Sequence, residues 1–216
     1  MAATLFYLVR NPRALALVTE EVRAKFNEVE EIRQGSQLTS CTFLRACIDE
    51  AMRLSPSVGG LLPREVLTGG MTIDGESVPA GTVVGVPHYA IHHNPDYYPE
   101  PFDFVPERWI IGSTLGNTKE GPKVTEDDVV RAQSAFCPFS VGPRGCIGKG
   151  LAYVEMTTTL ARVLFMYDLR RAVGVTDPGE GKEGAEWGRH RPGEFQLVDT
   201  FTSLKNGPMV EFRKRL

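Results

Sequence analysis

Residues 142–150 carry four glycines around Cys146 and open onto an apolar stretch, Leu151 to Tyr167, rich in Leu, Val and Met. This pairing of turn and helix constrains the chain more than any other segment. The apolar stretch has helical spacing and reads as a core helix. Glycine at positions 142 and 148 lets the backbone pass close to whatever the sulfur holds. Backbone N–H groups at a turn that opens onto a helix stabilise an anion, so the segment suits a cysteine held as a thiolate. An arbitrary cysteine is more often an inert packed thiol, and the rest of the chain must decide between the two.

Around this segment the chain alternates helix with short extended runs. Ala2 to Val9 reads as the tail of a helix closed by Arg10, Asn11 and Pro12. No cap precedes it, so the chain is expected to be a truncated piece of a longer fold. Asn11 as a cap with Pro12 at the first helical position opens a helix from Pro12 to Asn27, with Leu15, Val18, Val22 and Phe26 at helical spacing. A second helix begins near Ser40, buries Phe43, Leu44, Cys47, Ile48, Ala51 and Leu54, and stops at Pro56. Arg64 to Leu67, Met71 to Ile73 and Thr82 to Val86 are β-favouring and separated by glycine turns, which predicts one small antiparallel sheet. A short helix from His88 to His93 precedes a proline-rich run to Trp109, and Gly112 to Lys123 reads as loop. Thr125 and Asp128 form a capping box for Glu126 to Ser134. Arg170 to Glu194 reads as an exposed loop, and Phe195 to Phe212 as a closing hairpin around Asn206-Gly207-Pro208.

The 216 residues, 42% of them hydrophobic, suffice for a sizeable core. Lys and Arg number 24 against 27 Asp and Glu, a net charge of -3 that supplies no bulk attraction to nucleic acid or to an acidic membrane. Four cysteines without a CxxC pair suggest no secreted disulfide framework. The apolar start is too short to span a bilayer and lacks the basic opening of a signal peptide. His88, His92 and His93 beside Cys137 fit no common zinc spacing, and Cys137 reads as a packed thiol.

Phe139, Gly142, Arg144, Cys146 and Gly148 together fill the pattern F-x-x-G-x-R-x-C-x-G at every fixed position. This resembles the signature of the cytochrome P-450 family of haem-thiolate monooxygenases. Two further elements strengthen the resemblance: Glu50-Ala-Met-Arg53 is similar to the family E-x-x-R, and Pro106-Glu-Arg108-Trp109 to its P-E-R-W element. The resemblance covers residues 1–216 as the C-terminal, haem-binding portion of one domain, mainly α with small antiparallel β-sheets. Leu61-Leu62-Pro63-Arg64-Glu65-Val66 and Lys205-Asn206-Gly207-Pro208-Met209 resemble fungal secondary-metabolite and benzoate-hydroxylating members.

The resemblance implies haem b (iron protoporphyrin IX) with Cys146 as axial ligand to the iron. It implies Arg144 and Arg64 on the propionates, and Phe139, Gly142 and Gly148 shaping the cofactor loop. Glu50, Arg53 and Arg108 would form a buried structural network. Val58, Leu61 and Leu62, with Phe201 and Thr202, are the substrate-contact candidates, suited to a hydrophobic small molecule. NADPH-cytochrome P-450 reductase is the implied electron donor, and the endoplasmic reticulum membrane, cytosolic face, the usual family location. No catalytic side chain is assigned, because the family's distal threonine is expected upstream of Met1 and Thr4 lies too near Asn11-Pro12. Three readings stay open: a truncated monooxygenase with little turnover alone, a noncatalytic haem-binding or interaction fragment using Lys149, Arg131 and Arg144, or an incomplete reading frame without independent function.

Overall fold

The computed structural model describes residues 1–115 and 121–215, so part of the expected Gly112 to Lys123 loop lies outside the described residues. Helices α1 (Ala2–Arg10) and α2 (Pro12–Lys25) meet at Asn11. Pro12 takes the first helical position of α2, but Asn11 makes no side-chain cap. Its amide instead donates to the Tyr7 carbonyl at 2.7 Å, tying the junction to α1. The expected second helix is α4 (Thr42–Leu54), and a short helix α3 (Ser36–Thr39) precedes it. Glu21 on α2 accepts from the Phe43 and Leu44 N–H groups at 2.9 and 2.8 Å, doing at a distance what a local cap would do for α4.

Between α4 and α5 (His88–His92) lie β1 (Arg64–Glu65), β2 (Met71–Ile73), β3 (Glu76–Val78) and β4 (Val83–Val84). They form two separate antiparallel pairs, β1 with β4 and β2 with β3, rather than one sheet. Asp74 and Gly75 both have positive φ, 48° and 83°, the backbone that a tight two-residue hairpin requires. Strand β3 escapes a hydrophobicity reading because Glu76 and Ser77 are polar.

Helix α6 (Glu126–Ser134) starts with both arms of the Thr125/Asp128 capping box in place. Helix α7 (Lys149–Met166) is only half core: Tyr153, Leu160, Ala161 and Leu164 are buried, whereas Leu151 is 73% exposed. Its first turn carries the cysteine loop, and the described chain does not cover that end. The main core joins α2, α4 and α7 through Val18, Val22, Leu44, Ile48, Leu160 and Leu164.

The C-terminal region differs most from expectation. Arg170 and Arg171 belong to β5 (Tyr167–Arg171), which pairs antiparallel with β8 (Val210–Lys214). Strands β6 (Leu197–Val198) and β7 (Leu204–Lys205) form their own short pair, so 195–212 is not one hairpin. Within the supposedly exposed loop, Asp177 is buried and pairs with Arg10 at 2.9 Å while accepting from the Gly179 and Met209 N–H groups at 3.0 and 3.2 Å. Burial opposes its charge, but those N–H groups and Arg10 hold its carboxyl below the usual range. Asp177→Ala is expected to cost about 2–3 kcal/mol in urea unfolding, because it leaves Arg10 with only the longer Glu180 pair at 3.6 Å and orphans two N–H donors. A change under about 0.5 kcal/mol, as at an ordinary surface site, would contradict this role.

Candidate haem-thiolate site

The cysteine loop is closed by its own backbone. Cys146 N–H donates to the Phe139 carbonyl at 2.8 Å, Gly145 N–H to Gly142 at 2.9 Å, and Ser140 N–H to Cys137 at 2.8 Å. Gly142 sits at φ +73°, where a side chain is strained. A Cβ at Gly148 would lie 3.7 Å from Cys146 Sγ, an ordinary contact on the sulfur's flank. Phe139 packs at 5.3 Å against the Tyr153 ring of α7, whose hydroxyl donates to Asp49 of α4 at 2.8 Å. The loop is thus anchored to two core helices while Cys146 itself remains exposed. Its neighbours Val141 and Ile147 are exposed apolar residues at 73% and 105%. The sulfur is therefore open to a ligand and flanked by uncovered apolar side chains, unlike an inert packed thiol.

Arg64 and Arg144, far apart in sequence, border one cavity of about 410 Å³ that also touches Leu62, Val86, His88 and Cys137. Two guanidinium groups at one cavity suit carboxylates. This donor set, a free thiol with two arginines at a neighbouring cavity, fits iron protoporphyrin IX.

Behind the site lies a buried ion network. Glu50 pairs with Arg53 at 2.8 Å and with Arg108 at 3.1 Å, and all three are buried. Trp109 Nε1 and the Val105 N–H also donate to Glu50, at 2.9 and 3.0 Å. Burial alone would raise the Glu50 carboxyl, but Arg108 and Arg53 with these hydrogen bonds pull it down to about 2. Arg53 further donates to the carbonyls of His92, Pro101 and Asp103, fastening the proline-rich run to α4. Arg13 of α2 reaches Glu107 from the other side.

The histidines take structural partners. His92 Nε2 accepts from the Cys137 N–H at 3.0 Å, and His93 Nδ1 faces the Tyr89 carbonyl at 2.8 Å. Burial pushes His92 down to about 3 and His93 to about 4. Both are therefore neutral in the fold, and each takes up a proton on unfolding below its ordinary ~6.5. Stability is expected to fall by about 2 kcal/mol between pH 6.5 and 5.5 from these two groups, as unfolding titrations at the two pH values would show. A flat response across that window would contradict the burial of neutral imidazoles.

Comparison with known proteins decides the family. The Cytochrome P450 family model matches residues 1–185. The chain belongs to the cytochrome P450 family. It is 48% identical over 216 residues to Cytochrome P450 monooxygenase AKT7 of Alternaria alternata, covering 99% of this chain and 40% of that protein. A cytochrome P450 monooxygenase of Gibberella zeae is 45% identical over 100% of this chain and 46% of its own length. Cytochrome P450 monooxygenase apf8 of Gibberella fujikuroi is 44% identical over 100% of this chain and 55% of its own length. The chain spans about half the length of these curated relatives.

In this P450 chain the substrate-contact candidates form two adjoining segments. Ser203 N–H donates to the Ser57 carbonyl at 2.6 Å, and Ser203 Oγ to the Pro56 carbonyl at 3.3 Å, fixing the 201–203 turn to the residues that lead into the 58–62 run. Val58 and Leu62 are half-buried, and Leu61, Phe201 and Thr202 exposed. Phe201 is held at φ +70°, a strained backbone for an aromatic residue. The Trp109 contact to Glu50, the Ser203 contacts to Pro56 and Ser57 and the Asp177 pair with Arg10 have no local sequence signal, because the partners lie tens of residues away. Thr4 is buried in α1, and among the described residues no helix is long and apolar enough to cross a membrane.

Proposed function

We propose that this chain is the haem-thiolate portion of a fungal monooxygenase that hydroxylates a hydrophobic organic molecule with O2 and electrons from an NADPH-dependent reductase. The observation that carries the reading is the exposed Cys146 on its backbone-closed glycine loop at the head of α7. Cys146 would be the axial ligand, and Arg64 and Arg144 would receive the propionates. Bound haem would supply oxygen activation, which a thiolate ligand favours by pushing electron density toward O–O cleavage. Gly142 allows the turn's left-handed backbone, Gly148 would let the loop pass close to the cofactor, and Phe139 fixes the loop to the core. Val58, Leu61, Leu62, Phe201 and Thr202 would present an apolar to mildly polar surface that orients the substrate and excludes water.

A second reading, a haem-binding module without turnover, draws on the exposed basic residues Arg131, Arg144 and Lys149 near the cysteine loop, which suit an acidic partner. NADPH consumption by the haem-loaded chain with added cytochrome P-450 reductase separates the two. Substrate-stimulated consumption supports the monooxygenase, and haem uptake without it supports the module. Absence of haem uptake would overturn both.

A further inference from the structure

The Tyr153 ring that Phe139 packs against has a second neighbour, Arg45 of α4, whose guanidinium lies 3.6 Å from the ring centroid. Arg45 Nε donates to Asp49 Oδ2 at 2.8 Å, and Asp49 Oδ1 accepts from the Tyr153 hydroxyl at 2.8 Å. Arg45, Asp49 and Tyr153 thus close a cycle in which each member touches the other two. Arg45 and Asp49 stand four residues apart on α4, so the helix itself sets their spacing. Asp49 and Tyr153 are largely buried, whereas the Arg45 side chain is nearly half exposed. Ion pairs of that exposure contribute little to stability, so as a surface pair alone Arg45 would matter little. Its place in the cycle gives it more to do. Phe139 supplies both the ring that meets Tyr153 and the carbonyl that accepts from the Cys146 N–H at 2.8 Å, so a single residue separates the cycle from the cysteine.

We infer that Arg45 is a positioning residue for the haem ligand: through Asp49 and Tyr153 it fixes the Phe139 ring and, with it, the place of the Cys146 sulfur. The ligand half of this inference rests on the haem-thiolate reading, whereas the hold on the loop does not. A ring tethered by its hydroxyl and gripped on its face by a cation has one orientation, and Phe139 packs against that orientation. Without the guanidinium, Tyr153 keeps only its hydroxyl bond to an aspartate that has itself lost its ion pair, and the loop opens more readily.

Amide hydrogen exchange of the haem-free 216-residue chain, labelled with 15N-cysteine, reads the hold on the loop. Arg45→Ala is expected to speed exchange at the Cys146 amide about tenfold and at Cys47, buried within α4, by less than about twofold. Arg45→Lys, which keeps a cation for the carboxylate and the ring, should stay within about threefold of the parent at Cys146. Arg131→Ala, which removes an exposed ion pair on α6, should leave both amides unchanged. In the reduced, haem-loaded chain under carbon monoxide, Arg45→Ala should lower the share of the thiolate-type Soret band about threefold, and Arg45→Lys should largely restore it. Equal acceleration at Cys146 and Cys47, or none at Cys146, would overturn the inference while leaving the haem-thiolate reading intact. Faster Cys146 exchange with an unchanged Soret band would overturn the ligand half. Faster exchange in variants of a chain that takes up no haem would support the hold on the loop and overturn the haem-thiolate reading, and the ligand half with it. Should Arg45→Ala fail to fold, Tyr153→Phe, which keeps the ring and removes its bond to Asp49, is expected to change the Cys146 amide and the Soret band in the same direction, and no change in either would overturn the inference.

Discussion

Glu50→Ala is expected to destabilise the chain by about 3–5 kcal/mol, the cost of stranding buried charge. Arg53 is fully buried and Arg108 nearly so, and neither can move its guanidinium to water without dragging the proline-rich run out of place. The lost carboxylate also orphans the Trp109 and Val105 donors. The pH sign follows from the lowered Glu50 carboxyl: its contribution is complete above the ordinary carboxylate range and is lost as pH falls toward about 2. Arg131→Ala is the control, because its pair with Asp128 at 3.6 Å is exposed and is worth under about 0.5 kcal/mol. Urea unfolding of the two variants should separate them clearly. A Glu50→Ala chain within about 1 kcal/mol of the parent would show that the network is not what holds the 94–109 run to α4.

Cys146→Ala should do the reverse, leaving stability within about 0.5 kcal/mol and removing the haem-thiolate spectrum altogether. The thiol is exposed, and the loop is held by the Cys146 backbone N–H and carbonyl rather than by its side chain. The variant should therefore show the parent's melting curve and circular dichroism. Porphyrin bound by the variant would rest on Arg64, Arg144 and apolar contact, and would lack the thiolate signature. A variant that unfolds would mean that Cys146 is a packing residue after all.

The contrast between these two variants matches what the sequence made legible. The cysteine loop and the capping box are local devices, in which spacing over a few residues fixes the geometry. Glu50 and Arg53 share a helix face at i, i+3, and that half of the network is equally local. Its other half, Trp109 and Val105, depends on where a proline-rich segment without periodicity folds back. Asp177 is 167 residues from Arg10 in sequence, and no local pattern marks it. The same cause split the expected closing hairpin: β8 has a partner in β5, and the apolar pattern of 195–212 does not encode which strand lies beside it. Helix α7 read as wholly buried because its apolar residues surround the helix, yet only the side facing α2 and α4 is covered.

Cys146 is proposed to bind haem iron as a thiolate within this chain. The carbon monoxide difference spectrum of the reduced, haem-supplemented chain tests it most directly, with Cys146→Ala measured beside it. A thiolate-type Soret band is expected in the parent and none in the variant. Absence of haem uptake by the parent, or a band unchanged by Cys146→Ala, would contradict it.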